Sequence, residues 1–436
     1  MLGSGSRWKP DMDVIRTRGN SYAGRKKKVM AVTLNETPGS SRLHIGIFGK
    51  TNSGKSALIN AFTGQEVSIV ANVAGTTTDP VYKAMEVHPL GPCIIIDTAG
   101  FGDESELGKS RMEKTRLAAE KTDIALLLVA GNGDAALDEE EMHWYCFLKE
   151  HGTPVLFVVG KTDIRSDAQV DKLAAAIRGK TGEEAYPVSA KTGEGMEALK
   201  EALIRKLPEN YGSRLITGTL VDREDLVLLV MPQDIQAPKG RLILPQVQTL
   251  RELLDKKCLV MSVTTDQLIP ALAVLKKAPK LIITDSQVFG YVYENKPAES
   301  MLTSFSVLFA AYKGDLPYYV QGAGHIESLN AHSRVLIAEC CTHAPLKEDI
   351  GREKIPRMLR KRFGDSLAVD IVSGTDFPKD LSGYDLIIQC GACMFNRKYV
   401  MSRIERARGQ GVPMTNYGVT IAHLTGILDK ISMPEA

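Results

Sequence analysis

Short apolar runs separated by polar, glycine-rich segments recur along the first half of the chain. The runs are rich in Ile, Val and Leu and lie near residues 43–48, 94–96, 124–130 and 155–159. Runs of this length and composition predict buried strands. An apolar helical stretch at 56–62 follows the first of them, and alternating strands and helices are typical of a doubly wound sheet. We therefore predict an α/β domain over residues 42–207.

The second half of the chain contains further apolar runs. Residues 207–212 are typical of a linker, and the following segment predicts strands at 226–231 and 241–244 and a helix at 246–254. An α+β unit this small buries little core by itself, so we interpret residues 214–256 as a dimerisation domain; an intramolecular connector is the other interpretation. Beyond residue 258, strands are predicted at 259–263, 281–284, 335–338, 385–388 and 412–415, and helices at 267–276, 298–310, 355–363 and 397–408. We expect these elements to form one Rossmann-like, largely parallel sheet over residues 259–436.

The composition excludes several classes of protein. The chain has 436 residues, 44% of them hydrophobic and 24% charged, and its formal net charge is +2. A nearly neutral chain has no general attraction to nucleic acid or to membranes. The first thirty residues lack an apolar segment, and no apolar run is long enough to span a bilayer. We therefore expect a cytoplasmic protein, with a disordered basic extension at residues 1–41.

A phosphate-binding motif lies between the first strand and its helix. Residues 49–56 read G-x-x-x-x-G-K-S, and this strand-to-helix context is the one in which the motif forms a phosphate loop. Backbone amides close around a phosphate, Lys55 reaches the terminal phosphates, and the Ser56 hydroxyl binds magnesium. The residues predicted to contact the nucleotide here are Gly49, Asn52, Ser53, Gly54, Lys55, Ser56 and Ala57.

The next motifs are typical of nucleotide-dependent switches. Thr77 lies in the polar segment 75–79, and Asp97 and Gly100 belong to an Asp-Thr-Ala-Gly sequence that ends a strand. A carboxylate at this point can hold magnesium through water, and a glycine amide can contact the last phosphate. The predicted catalytic residues are Lys55, Thr77, Asp97 and Gly100.

The remaining motifs predict that the base is guanine. Residues 160–163 read Gly-Lys-Thr-Asp, and Ser189, Ala190 and Lys191 follow the next strand. The carboxylate of Asp163 can accept two N–H bonds from guanine, which adenine cannot match. Lys161, Asp163, Ser189, Ala190 and Lys191 are therefore the predicted base-binding residues, and GTP with Mg²⁺ is the predicted substrate.

Residues 42–207 resemble the translation-factor-like GTPases of the Era and tRNA-modification group. Asn52 together with the Gly-Thr-Thr sequence before Asp79 is similar to the potassium-activated subset. The resemblance implies that Asn52 holds K⁺ and that Thr77 binds Mg²⁺; a loop hydrogen bond is the other interpretation of Asn52. Two positions depart from the pattern. Phe101 stands where Ras-like proteins place a water-orienting Gln, and Gly160 replaces the usual Asn of the guanine motif. We therefore expect weak guanine binding and hydrolysis that is slow or depends on potassium and a switch carboxylate, with Asp103, Glu104 and Glu106 as candidates.

Cysteines near the C-terminus have the spacing of metal ligands. Cys341 and His343 form Cys-x-His, Cys390 and Cys393 form Cys-x-x-Cys, and each pair follows an apolar run. The chemistry leaves open a Cys₃His zinc site, an iron–sulfur cluster with a non-cysteine fourth position, and buried thiols without metal. The cysteines predicted to serve as packing residues are Cys93, Cys146, Cys258 and Cys340.

The chain from about residue 33 to 428 resembles the FeFe-hydrogenase maturation GTPase family, HydF. The family signature joins Cys-x-His to His-Cys-x-x-Cys. The flanking sequences also match it, at 349–352, 354–356 and 415–419. By that resemblance Cys341, Cys390 and Cys393 bind a 4Fe-4S cluster. Gln389 replaces the His of the family, so the fourth ligand is open, with His343 as a candidate.

The resemblance implies a GTP-hydrolysing scaffold. Such a protein receives a di-iron precursor of the H-cluster from two radical-SAM maturases and delivers it to the FeFe-hydrogenase apo-protein, and it is expected to form a homodimer. The alternative is an RNA- or ribosome-associated GTPase with a structural zinc site. A redox enzyme that uses the cluster for electron transfer is a further interpretation.

Overall fold

The computed structural model describes residues 37–63, 80–102, 106–129, 137–207, 211–212, 214–232, 242–340 and 349–435. No helix in these ranges is long and apolar enough to cross a membrane. The predicted basic extension lies outside the described residues as far as residue 36.

The first sheet forms the core of the N-terminal domain. Its strands are β1 (Leu43–Gly49), β2 (Val81–Val87), β3 (Gly91–Asp97), β4 (Ile124–Val129), β5 (Val155–Val159) and β6 (Ala185–Pro187), and its helices are α1 (Lys55–Thr63), α2 (Glu106–Ala119), α3 (Glu139–Glu150), α4 (Asp167–Thr181) and α5 (Met196–Lys206). The strand order is β2-β3-β1-β4-β5-β6. β2 is antiparallel to β3, and the other neighbours are parallel. The predicted doubly wound α/β fold is confirmed, and the carboxyl ends of β1, β3 and β5 carry the nucleotide motifs.

The second sheet is all parallel. Its strands are β7 (Leu226–Val230), β8 (Leu259–Val263), β9 (Leu281–Thr284) and β10 (Met301–Ser304), and the helices around it are α6 (Leu244–Asp255), α7 (Leu268–Val274), α8 (Phe289–Asn295) and α9 (Phe305–Lys313). The strand order is β10-β9-β7-β8, so β8 forms one edge of the sheet.

The third sheet is also parallel and carries the Cys-x-x-Cys segment. Its strands are β11 (Arg334–Ala338), β12 (Ala368–Val372), β13 (Leu386–Gln389) and β14 (Met414–Asn416), and its helices are α10 (Leu316–Gly324), α11 (Ile355–Phe363), α12 (Arg397–Gly409) and α13 (Tyr417–Leu424). The order β12-β11-β13-β14 makes β11 and β13 neighbours. The segments that follow these two strands therefore meet at one edge.

The structure corrects three details of the predicted second half. We predicted one sheet from residue 259 onward, but β8, β9 and β10 pair with β7, so the predicted boundary at 256–259 falls inside the second sheet. The helix predicted at 298–310 is in fact β10 followed by α9. Its apolar sequence is continuous, but Ser304 caps a new helix by accepting a bond from the Val307 amide (3.2 Å). Within the predicted strand at 241–244, residue 241 lies outside the described residues and the remainder leads into α6.

Apolar layers cover both faces of the first sheet. α1 and α5 pack on one face, and α2, α3 and α4 pack on the other. The second and third sheets differ, because Leu228, Ile282, Leu336 and Ile388 belong to one continuous core. These two units are therefore joined by burial of apolar surface as well as by sequence.

The N-terminus of α3 contains a buried carboxyl group. Asp138 caps the helix by accepting bonds from the amides of Glu140 (3.1 Å) and Glu141 (2.9 Å). Glu141 is 2% exposed, and burial, with the nearby Asp138 charge, raises the pKa of Glu141 to about 7. Because an unfolded glutamate ionises near pH 4.5, the folded state binds the extra proton between these pH values. The free energy of unfolding should therefore fall as the pH rises through this window.

Glu141→Gln is expected to remove this pH dependence. The neutral amide keeps an acceptor for the capping box and carries no charge to bury, so the variant should exceed the wild type in stability at pH 8 by about 2–3 kcal/mol. Urea unfolding at pH 5 and pH 8 checks the prediction. Glu139→Gln is the control, since Glu139 lies in the same helical turn and is exposed. Parallel pH profiles for the wild type and Glu141→Gln would contradict the assignment.

Candidate functional site

Backbone carbonyl groups of the phosphate loop hold its lysine in place. Lys55 opens α1 and is 8% exposed. Its ammonium donates to the carbonyl oxygens of Gly49 (2.9 Å) and Lys50 (2.8 Å). Burial lowers the pKa of Lys55 to about 8, although the charge of Asp97 opposes the shift. An incoming phosphate would supply the negative charge that this buried cation lacks.

The Asp97–Gly100 segment lies directly against the phosphate loop. The Thr51 amide donates to the Phe101 carbonyl (3.1 Å), and a Cβ at position 100 would stand 2.6 Å from the backbone nitrogen of Thr51. Only glycine fits this close approach. Burial raises the pKa of Asp97, and Lys55 is the largest opposing charge. The structure thus brings three of the four predicted catalytic residues together; Thr77 lies outside the described residues.

Phe101 belongs to the core of the domain. It is 3% exposed and stacks on Trp144 with ring centroids 5.9 Å apart. The Phe101 side chain is therefore part of the hydrophobic core, in agreement with the expectation that it does not orient a water molecule. Of the candidate switch carboxylates, Asp103 and Glu104 lie outside the described residues.

A cavity of about 220 Å³ lies beside the phosphate loop. Its lining includes the predicted base-binding residues Lys161, Asp163, Ala190 and Lys191, together with Ser53, Gly54, Ala57, Leu58, Leu128, Gly160, Ile164 and Val188. Ser189 lies behind this surface, fully buried, and donates to Asp163 Oδ1 (3.0 Å). Lys161 crosses to the phosphate loop and donates to the Asn52 carbonyl (2.9 Å). Ser189 thus fixes the position of the Asp163 carboxylate, and Lys161 connects the same segment to the phosphate loop.

The missing asparagine of the guanine motif has a steric explanation. A Cβ at Gly160 would lie 2.9 Å from Leu128 Cδ1 and 3.8 Å from the Ser53 carbonyl. The Ser53 hydroxyl is buried and has no hydrogen-bond partner among the described residues. Leu128 therefore lies where a side chain at position 160 would begin, and the Ser53 hydroxyl nearby is left without a partner in the described part of the chain.

Asp163→Asn is expected to weaken GTP binding by about 10–100-fold. An amide presents one acceptor and one donor, so it loses one of the two bonds that guanine offers, and its NH₂ group faces the donors of the base. Fluorescence titration with a labelled guanine nucleotide measures the change. Asp171→Asn on α4 is a matched control, since Asp171 is exposed and does not line the cavity. Equal affinities would show that Asp163 does not contact the base.

The cysteine segments meet at the edge of the third sheet. Cys390 follows β13, Cys340 lies just beyond β11, and Ala338 pairs with Gln389. The Cys340 amide donates to the Cys390 sulfur (3.1 Å), and a hydrogen bond from the Cys340 thiol lowers the pKa of Cys390. Cys340, predicted as a packing residue, is 4% exposed. Cys341 and His343 lie outside the described residues, and within the described part of the chain no group of three metal-binding side chains is assembled.

Buried cations surround the cysteine segment. Lys313, 2% exposed, donates to the carbonyl oxygens of Ala392 (3.2 Å), Cys393 (3.1 Å) and Phe395 (2.7 Å). Arg403, 1% exposed, stacks on the aromatic rings around it, and one of its terminal nitrogens lies 4.0 Å from the Cys340 sulfur. Neither cation forms an ion pair with a carboxylate among the described residues. A buried positive charge of this kind favours an anionic neighbour.

Neutral and peripheral groups complete the surroundings. The Gln389 amide nitrogen donates to the Tyr319 hydroxyl (3.3 Å), and its oxygen lacks a partner in the described ranges. His423 pairs with Glu327 (2.7 Å), and His325 lies 3.3 Å from a backbone carbonyl. These two histidines therefore have structural partners.

Sequence reasoning missed Leu128, Lys313 and Arg403. Leu128 lies in a uniformly buried strand, and Arg403 lies in a helix with four other basic residues, none of which is classed as buried. Lys313 is the last residue of an apolar helix. A cation at this position normally lies at the surface and interacts favourably with the helix dipole. Gly160 in place of the usual Asn is the local signal in the sequence that could have pointed to Leu128, because a neighbouring side chain must fill the space of the missing one.

A turn of the GTPase-type domain contacts the cysteine segment. The Lys121 ammonium lies 5.5 Å from the ring centre of Tyr82, 5.7 Å from Phe395 and 5.1 Å from Tyr399. The Asn396 side chain donates to the Lys121 carbonyl (2.8 Å) and also caps α12 through the Tyr399 amide (3.3 Å). Burial lowers the pKa of Lys121. We call this group of residues the domain junction.

The phosphate loop, the adjoining Asp97–Gly100 segment and the base pocket define a P-loop protein of the GTPase class. Models of known families match three segments of the chain: a 50S ribosome-binding GTPase over residues 44–161, the Hydrogen maturase F dimerization domain over 216–314, and the Hydrogen maturase F tetramerization domain over 317–434. The chain belongs to the hydrogen maturase F family. The dimerization segment includes β8, β9 and β10, in agreement with the second sheet.

Curated relatives match less than half of the chain. GTPase Der of Wolinella succinogenes is 37% identical over 194 residues, which are 43% of this chain and 40% of that protein. The tRNA modification GTPase MnmE of Shewanella amazonensis is 33% identical over 188 residues, with coverage of 43% and 40%. The chain thus spans 40% of the length of these relatives. Aquifex aeolicus Era bound to GDP and aluminium fluoride is 21% identical with a TM-score of 0.34, covering 53% of this chain and 98% of that one.

Proposed function

We propose that this protein is a GTP-hydrolysing scaffold of FeFe-hydrogenase maturation that binds a 4Fe-4S cluster and delivers a di-iron precursor. The observation that carries the proposal is the bond from the Cys340 amide to the Cys390 sulfur (3.1 Å). An N–H donor stabilises a thiolate, which is the form of cysteine that binds metal. Cys340 is followed directly by Cys341, so the two predicted ligand segments meet through this bond.

The charges around the cysteines fit an iron–sulfur cluster. Three thiolates and a 4Fe-4S core carry net negative charge, and Lys313 and Arg403 bring positive charge without carboxylate partners among the described residues. The proposed ligands are Cys341, Cys390 and Cys393, with His343 or an exchangeable ligand in the fourth position. When bound, the cluster supplies an iron-based attachment point for the cargo. The cysteines hold it, the cations stabilise its charge, and Gln389, engaged with Tyr319, stays outside the ligand set.

The nucleotide half of the proposal assigns a role to each phosphate-contacting group. Lys55 neutralises the terminal phosphates, and Ser56 and Thr77 bind Mg²⁺, with Asp97 acting through water. Asn52 is exposed and has a φ of 62°, and in our proposal its side chain binds a K⁺ that supplies positive charge beside the phosphates. Nucleotide state then biases the switch loops and the choice of partner.

The proposed partners are the apo-hydrogenase, the two radical-SAM maturases and further copies of this chain. Matches to dimerization and tetramerization domains support self-association. In the dimerization segment, Leu254 (56%), Leu259 (56%) and Val274 (73%) are exposed. Apolar side chains at and near the edge strand β8 are suitable for contact with a second copy.

Metal and sulfide content of anaerobically purified protein tests the proposal. About four irons and four sulfides per chain are expected, together with guanine-specific hydrolysis that rises when K⁺ replaces Na⁺. About one zinc and no sulfide would overturn the cluster proposal, because Cys341, His343, Cys390 and Cys393 would then form a structural site.

The match to a 50S ribosome-binding GTPase over residues 44–161 favours a second candidate, an RNA-associated GTPase with structural zinc. The two Hydrogen maturase F segments, which cover most of the chain beyond residue 215, favour the scaffold. Tight RNA binding that weakens steeply with salt, together with zinc in place of iron, would support this second candidate.

A further inference from the structure

Lys313 is unusual among the lysines that the structure describes because the fold buries it almost completely. It is the last residue of α9 and is 2% exposed. Its three N–H donors go to three carbonyl oxygens, those of Ala392, Cys393 and Phe395, at 2.7–3.2 Å. An ammonium has three donors and no acceptor, so the Cys393 segment satisfies this one completely.

These bonds determine the shape of the Cys-x-x-Cys segment. Ala392 has a left-handed φ of 51°, a conformation that an alanine adopts only where its surroundings impose it. The three carbonyl oxygens must converge on one nitrogen for Lys313 to be satisfied. A turn that carries metal ligands is thereby held in one conformation by a side chain from the neighbouring sheet unit.

The charge of Lys313 also lacks a partner other than the cysteines. No carboxylate forms an ion pair with it among the described residues, and the Phe309 ring lies 5.7 Å from its nitrogen. Burying an ammonium is strongly unfavourable unless an opposite charge or strong dipoles offset the loss of water. Carbonyl dipoles offset part of this cost, and the thiols of Cys340, Cys390 and Cys393 are groups whose negative charge, when they ionise, would act on Lys313.

We propose that Lys313 is a positioning residue for the cluster site: it holds the 392–395 backbone in the ligating conformation and compensates the charge of the cluster. This inference rests on the proposed function. A positive charge beside a redox group stabilises the reduced form, so Lys313 should raise the reduction potential of the cluster. Groups that orient metal ligands typically change metal retention by 10–100-fold when they are removed.

Lys313→Met tests the proposal, because methionine keeps an unbranched apolar chain and loses the charge and all three bonds. After anaerobic reconstitution of the full chain, we expect iron loss to a chelator to be about 10–100-fold faster than in the wild type. We also expect a more negative reduction potential, measured by electron paramagnetic resonance. Lys313→Gln keeps N–H donors without the charge; it should fold even if Lys313→Met does not, and should still shift the potential.

The chain offers a matched control in Lys296. Its ammonium also donates to three carbonyl oxygens, those of Pro297 (3.1 Å), Ala298 (3.4 Å) and Ser300 (2.7 Å), and lies over the ring of Tyr293. It lies just before β10, at the amino ends of the strands. Lys296→Met should therefore change only stability and leave iron loss and potential at wild-type values.

The outcomes separate this inference from the function on which it rests. Wild-type protein that takes up no iron–sulfur cluster would overturn the proposed function and this inference with it. A wild type that binds the cluster, with Lys313→Met and Lys313→Gln identical to it in iron loss and potential, would overturn the inference alone. A shift in both properties that Lys313→Arg restores would support a role for charge and shape together.

Discussion

Lys55→Ala is expected to lower GTP hydrolysis by about 10²–10³-fold and to leave the iron content of the protein unchanged. The lysine provides the buried positive charge for the terminal phosphates, and alanine leaves their developing charge without a partner. The cysteine segment and the phosphate loop belong to different sheets, so the cluster should not depend on this side chain. Phosphate release and iron content, measured on the same preparation, check both parts.

The surface of the same domain provides a control for this prediction. Arg178→Ala removes a cation that is 72% exposed and 3.8 Å from Glu184, and an exposed pair at this distance contributes little. This variant should retain wild-type hydrolysis and iron. Loss of iron from Lys55→Ala would show that the two sites load together, and hydrolysis near the wild-type rate would remove Lys55 from the catalytic set.

Cys390→Ser is expected to reduce iron from about four per chain to less than about one. Serine has nearly the same shape, but its hydroxyl is a far weaker iron ligand than a thiolate. The serine oxygen can still accept a hydrogen bond from the Cys340 amide, so the substitution tests the sulfur as a metal ligand. Iron and sulfide analysis together with the visible absorption of the cluster measures the loss, and GTP hydrolysis should persist.

The fold supplies a matched cysteine for comparison. Cys146 lies on α3 and is exposed, so Cys146→Ser tests whether any lost thiol lowers the iron content. We expect wild-type iron in this variant. Full iron content in Cys390→Ser would show that the metal is held elsewhere, and a single zinc in both variants would point to a structural site outside this segment.

Local patterns were sufficient for short strands made mostly of Val, Leu and Ile. β5, β8 and β9 begin and end at the predicted residues, because residues of these types favour strands even where, as at Leu259 in β8, the side chain is exposed. β2 escaped prediction because it is an edge strand whose side chains alternate between exposed and half-buried. β10 escaped because its apolar sequence runs directly into α9.

The division of the strands into sheets could not be predicted from local patterns. β8 and β11 carry similar apolar runs, and pairing with β7 or with β13 depends on contacts between distant segments. The same limit applies to the site. Cysteine spacing predicts ligands directly, but Lys313 becomes part of the site only because the fold brings the 392–395 backbone over the end of α9.

The domain junction has a consequence for the biogenesis of the protein. During synthesis the N-terminal domain can fold while the last part of the chain is still on the ribosome. The turn that contains Lys121 can then already be folded, whereas Phe395, Asn396 and Tyr399 are synthesised much later. The turn that contains Cys393 acquires its final surroundings only when α12 docks, after nearly the whole polypeptide has been made. Loading of the proposed cluster site is therefore expected only after translation, and a prematurely terminated chain is expected to have a folded nucleotide domain without that site.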